Sequence, residues 1–138
     1  MQGPGGPTPS GIPGFSSGFG IVARAGGGNA NATQLNSWLN TVATVATAAD
    51  SVMLPPGYAG EEVTVINHGA NSCQVFGYMS TVSGDVVTDT IAPAASGTQG
   101  TAGVALAALA AGYFYCMVGQ GGTTNAITPA QWQHKAIA

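Results

Sequence analysis

The sequence predicts a mainly β fold. The expected architecture is an antiparallel β-sandwich or jelly-roll-like domain over 30–120, with an extended arm at 1–29, a tail at 121–138 and short terminal helical segments. Three observations point there. Short β-branched runs, among them NTVATVAT (40–47), VTVIN (63–67) and DVVTDTIAP (85–93), are divided by turns rich in Gly, Asn and Pro. The first 28 residues hold four prolines and ten glycines, a composition that neither forms a helix nor packs a core alone. Charged residues make up only 5% of the chain, against about 25% in an ordinary soluble domain.

Each element follows from its local pattern. Ordering the Gly/Pro-rich arm costs about 1–2 kcal/mol per residue in backbone entropy, which a free terminus does not recover. The arm is therefore expected to lie along a neighbouring subunit, and fully extended it reaches roughly 90 Å at about 3.3 Å per residue. Phe15, Phe19, Ile21 and Val22 are its candidate interface anchors, each contributing about 1.5–3 kcal/mol when buried. NATQLNSWLN (31–40) reads as a short helix, with Asn31 as N-cap, Gln34 in the capping-box position and Leu35, Trp38 and Leu39 on one face. Residues 40–47 then turn β-branched, and SVMLP (51–55) is a second short strand ended by Pro55 and Pro56.

VTVIN (63–67) and CQVFGYM (73–79) read as a β-hairpin joined through Gly69 and Asn71, with His68 at its tip and Glu61 and Glu62 ahead of the ladder. Both faces of this pair carry apolar groups. Val63 and Val65 share one face while Ile66 lies on the other, and Val75 alternates with Phe76 and Tyr78. A sheet with one wet face would not show this, so Ile66, Phe76 and Tyr78 join the candidate interface with a second sheet or another subunit. GVALAALAAGYFYCMVG (103–119) reads as strand, turn and strand, with a helix over 102–111 as the alternative because alanine favours helix. The LxxGY pattern at Leu54–Tyr58 recurs at Leu109–Tyr113. The last stretch, TPAQWQHKAIA, has Thr128 at the N-cap, Pro129 at N1 and Gln131 at N3, and reads as a short helix carrying Trp132, the last interface candidate.

Charge and motifs narrow the function. The net charge is -3 and the only cations are Arg24 and Lys135, too few to replace phosphate counterions on a nucleic acid or to bind a membrane surface. Residues 1–10 have neither a cationic nor an apolar leader segment, and the apolar run 102–118 is broken by Gly103 and Gly112. With no export signal, Cys73 and Cys116 are expected as reduced, buried thiols.

GFGIVA (18–23) matches a dinucleotide-loop pattern in form only, since a Pro/Gly arm precedes it and the next acid is Asp50. His68 and His134 lack neighbours at metal-ligand spacing, and Asp85 and Asp89 read as solvated carboxylates rather than a Ca²⁺ site. The acids lack a polar scaffold for glycosidase chemistry. No catalytic residue, cofactor, metal or small-molecule substrate is expected.

The run TVATVATAADSVMLPPGYAGEEVTVINHGANSCQVFG (41–77), followed by LAAGYFYCMVG, resembles small virion proteins of tailed bacteriophages. That resemblance implies a capsid decoration (cement) or head-fibre protein, commonly trimeric, located on the capsid surface and made in the host cytoplasm. Its implied partners are the major capsid protein and copies of itself. A head- or tail-fibre domain that binds host glycans is the alternative, with Trp132 or Tyr58 beside Glu61 as its candidate aromatic platform.

Overall fold

The computed structural model describes residues 16–25, 29–82, 85–92, 100–123 and 126–137; Phe15 and the rest of 1–15 lie outside them. The chain is mainly β. It begins with β1 (Ser17–Val22), β2 (Thr33–Gln34), β3 (Leu39–Thr44), β4 (Asp50–Met53), β5 (Glu62–Asn67) and β6 (Cys73–Phe76). β1, β3 and β5 pair in parallel in one sheet, and β2, β4 and β6 pair in parallel in another. The chain thus alternates between the two sheets, crossing five times from β1 to β6, with successive pairs stacked on one another.

The second half closes both sheets with antiparallel strands. β10 (Val104–Leu106) pairs with β6, while β11 (Ala111–Val118) pairs with β5 and with β14 (Gln131–Ile137). β9 (Thr90–Ala92) is parallel to β14 at the edge. The sheet orders are β1-β3-β5-β11-β14-β9 and β10-β6-β4-β2. Two small hairpins stand apart: β7 (Met79–Val82) with β8 (Asp85–Thr88), and β12 (Gly121–Thr123) with β13 (Ala126–Thr128). The expected all-antiparallel pairing is therefore corrected to mixed sheets.

One core joins the two sheets. Val42, Val63, Val65, Phe114, Cys116 and Trp132 come from the six-stranded sheet, and Val52, Cys73, Val75, Val104 and Leu106 from the four-stranded sheet. Period-two alternation explains it: Val63 and Val65 point inward from β5 while Thr64 and Ile66 stay partly exposed. Removing Phe114, which is fully buried, should cost about 3–5 kcal/mol if cut to alanine.

The expected hairpin at 63–79 is not a hairpin. β5 and β6 belong to different sheets, so residues 68–72 form an arch over the core edge. Apolar groups on both faces had suggested packing on two sides, and one side is indeed the core between the sheets. The reason lies in the loop. Asn67, fully buried, donates its side-chain amide to the carbonyls of Asn71 (2.9 Å), Leu106 (3.0 Å) and Ala107 (3.1 Å), while its Oδ1 accepts from the Gly69 N–H at 2.8 Å.

Asn71 continues the chain of contacts, donating to the carbonyls of Val45 (2.9 Å) and Ala46 (3.0 Å). Three arches, 45–49, 68–72 and 107–110, are thereby stapled at one end of the molecule. Gly69 permits the approach, since a Cβ there would stand 2.6 Å from a Val45 methyl.

Both helix expectations are also corrected. Over 31–40 the structure has only a 3-10 turn at Asn29–Asn31, then β2, then an extended stretch leading to β3. Leu35 is fully buried with its N–H on the Met53 carbonyl, so pairing with β4 overrides the local capping signal. At the C-terminus, β14 lies between β11 and β9, and inward Trp132 and His134 alternate with outward Lys135. The domain thus extends beyond 30–120 at both ends, because β1 and β14 belong to its larger sheet.

Two outcomes test the staple. Asn67→Ala strands three carbonyls and one buried N–H, and should lower stability by about 2–4 kcal/mol in urea unfolding. Gly69→Ala should also destabilise, by about 1–3 kcal/mol from overpacking against Val45.

Candidate functional site

The end opposite the asparagine staple is organised by Asp89. Although fully buried, its carboxylate accepts from the Gly57 N–H (3.2 Å), the Ala130 N–H (2.9 Å) and the Gln120 side chain (2.9 Å). A buried carboxylate needs such donors to offset desolvation. Read from sequence as a solvated acid, Asp89 is instead a structural hub. Gly57 fits beneath it because a Cβ there would lie 2.4 Å from Ala130 Cβ.

This hub fixes the loop 54–61, which β11 also holds through Gly60 N–H to Cys116 O (2.9 Å) and Cys116 N–H to Glu61 O (2.8 Å). The facing loop, 35–38, is held by Thr64 N–H to Trp38 O (2.8 Å) and by the Trp38 N–H on Ser16 Oγ (3.3 Å). Between the two loops opens a cleft of about 450 Å³. Trp38 forms its aromatic wall, Glu61 and Glu62 its acidic wall, and Asn36 and Ser37 its polar lip.

Glu61 Oε1 accepts from the Tyr58 N–H at 3.3 Å, and the Tyr58 side chain is exposed. Burial pushes the Glu61 carboxyl above its ordinary range, the Tyr58 N–H pulls it back, and the Asp89 charge raises it further. Glu62, expected ahead of the ladder, stands inside β5 opposite Tyr115. Behind the lip, Asn40 is fully buried and donates to the Ser37 carbonyl at 2.7 Å, while its Oδ1 has no hydrogen-bond partner.

The expected interface residues do not converge on one surface. Phe19 and Val22, 75% and 55% exposed, stand out from edge strand β1, whereas Ile21 packs partly against the chain's own core. Ile66 lies on the outer face of the six-stranded sheet, and Phe76 and Tyr78 are half-buried at or beyond the end of β6 in the other. Trp132 is corrected outright: at 0% exposure it is a core residue, which also removes it as a glycan platform.

The buried titratable groups are inert in character. Cys73 and Cys116 are free and buried, one in each sheet, and burial first of all pushes each thiol up to about 11. His134, only 8% exposed, stacks at 4.9 Å on Phe114, and burial lowers its pKa. His68 is exposed on its arch. Among the described residues no three His, Cys, Asp or Glu side chains are grouped to hold a metal ion, and no helix is long and apolar enough to cross a membrane.

Sequence reasoning missed Asp89, Asn67 and Trp38 as organising groups. Only the both-faces-apolar pattern around Ile66 hinted that β5 packs against a second sheet. Comparison with known protein families, curated proteins and solved structures found no match.

Two outcomes follow. A histidine whose folded pKa is lowered binds a proton in the unfolded state first, so its contribution is intact above about 6.5 and is lost as pH falls below it. Glu61, raised above 4.5, acts with the opposite sign, its folded-state penalty appearing as pH rises through that region. Stability of His134→Leu relative to the parent should therefore rise between pH 7 and pH 5, as read from urea midpoints. Both thiols should react with Ellman's reagent only on unfolding; rapid reaction of the native chain at pH 8 would contradict their burial.

Proposed function

We propose that this chain is a structural, non-catalytic protein of a tailed-bacteriophage virion, a decoration (cement) protein that binds the capsid surface and copies of itself, most simply as a homotrimer. In this reading the two sheets form a β-sandwich or jelly-roll-like body, and the Gly/Pro-rich N-terminal sequence adds to the contacts with the capsid. The starting point is the resemblance read in the sequence of residues 41–77, which no match to a known protein supports.

The observation that carries the reading is the outer face of the six-stranded sheet. Across β3, β5, β11 and β14, register sets Thr41, Ile66, Ala111 and Ile137 in one row and Leu39, Thr64, Tyr113 and Lys135 in the next. Tyr115, 40% exposed, follows opposite Glu62 and Gln133, and Ile137 is 48% exposed. A broad sheet face with aromatic and aliphatic groups and only one cation is what a partner surface covers. Buried polar groups, by contrast, are largely consumed in holding the arches and loops, which suits a scaffold better than a catalyst.

A second reading, a fibre domain binding host glycans, is favoured by one feature: Trp38 lines the cleft together with Glu61. Saturable glycan-array binding without capsid affinity would select it.

The decoration reading is tested with capsids stripped of this protein. The double variant Tyr115→Glu/Ile137→Glu, both at exposed positions, should keep its unfolding midpoint within a few degrees. Its capsid occupancy should fall about tenfold or more, the effect of losing an interface anchor. Deleting residues 1–15 should lower occupancy and particle heat resistance as well. Unchanged occupancy in both variants contradicts the proposal.

A further inference from the structure

The cleft between loops 35–38 and 54–61 has a chemistry that narrows its ligand. Its volume, about 450 Å³, is that of a site for a small molecule or a single protruding side chain. Trp38 supplies an aromatic surface 38% exposed, and Glu61 and Glu62 supply two carboxylates on the facing loop and strand. Of the chain's two cations, neither Arg24 nor Lys135 lines the cleft. The walls are therefore rich in acceptors and negative charge and contain one flat π-surface.

A sugar brings donors and acceptors in equal number and no charge, so it leaves the carboxylates unneutralised. A guanidinium brings five N–H donors and no acceptor, carries a permanent positive charge, forks onto carboxylates and stacks on indole. An ammonium provides the charge but neither the fork nor the planar stack. We infer that this cleft is a receptor for a guanidinium group, the head of an arginine side chain, seated on Trp38 and neutralised by Glu61 and Glu62.

Burial already holds the Glu61 carboxyl above its ordinary range, and a cation beside it would relieve that cost. The ligand chemistry stands on the cleft alone. Its assignment to an arginine of a capsid or sister subunit rests on the decoration reading.

The experiment titrates the full-length ¹⁵N-labelled chain with N-acetylarginine amide at constant ionic strength, following the Trp38 indole and the Glu61 and Glu62 backbone amides. N-acetylcitrulline amide, of the same shape without the charge, N-acetyllysine amide and methyl glucoside serve as parallel probes. The arginine probe is expected to shift these signals saturably. Citrulline should bind at least tenfold more weakly, and lysine more weakly than arginine.

Glu61→Gln keeps the acceptor for the Tyr58 N–H and should weaken the arginine probe about tenfold at an unchanged unfolding midpoint. Trp38→Leu, whose backbone contacts are retained, should weaken it comparably. Equal binding of citrulline, saturable shifts with the glucoside alone, or no saturable shift by arginine would each overturn the inference. None of these results depends on capsid occupancy, so failure here and failure of the decoration reading are separately visible.

Discussion

The fold depends on a side-chain amide in the place of a backbone ladder. Where β5 leaves one sheet for the other, its last residue turns inward and donates to three carbonyls from two arches. Arches, unlike hairpins, leave backbone groups without a strand partner at the point of crossing. The Leu106 carbonyl and the Gly69 N–H are buried here, and each would cost about 1–3 kcal/mol if unmet. Asn67 and Asn71 together satisfy carbonyls from all three arches at that end, which lets parallel strands alternate between sheets with connections of only a few residues. Ala49 and Leu109, both at positive φ (73° and 64°), show how tightly two of those connections are turned.

The opposite end follows a different logic. There a single buried carboxylate, Asp89, gathers three donors and sets the height of loop 54–61 over the core. The cleft is a consequence of that placement, because its acidic wall ends the same loop and its aromatic wall is pinned through β3 and Ser16. One end of the molecule is closed by amides and the other presents an acidic recess. Between them lies the outer face of the six-stranded sheet, which carries Glu62 and Lys135 among aromatic and aliphatic groups.

Much of the core was legible in the sequence. The β-branched runs around Val42, Val52, Val63 and Val65 appear as strands, and both cysteines are buried and free, because alternation and hydrophobicity are local signals. What was not legible depends on distant partners. Leu35 and Trp38 sit at helical spacing, but Leu35 was claimed by a backbone bond to Met53 that no local pattern encodes. Trp132 looked like a helix anchor, yet it alternates into the core once β11 and β9 flank it. Gly69 and Asn71 were read as turn residues and Asn67 as the last residue of its strand, a reading silent about the amide that joins the sheets. Asp89 could not be told from a surface acid, since its donors come from residues 31 to 41 positions away.

The claim that amide staples, and not local turn propensity, hold the arches together is tested most directly by native-state hydrogen exchange. The N–H groups of Ala49, His68 and Gly69 all lie in these connections and are all hydrogen-bonded. The account expects them to exchange only through global unfolding, with opening free energies equal to those of the β5 and β11 core amides. Exchange of all three through fast local opening, while the β5 and β11 amides stay protected, would contradict it.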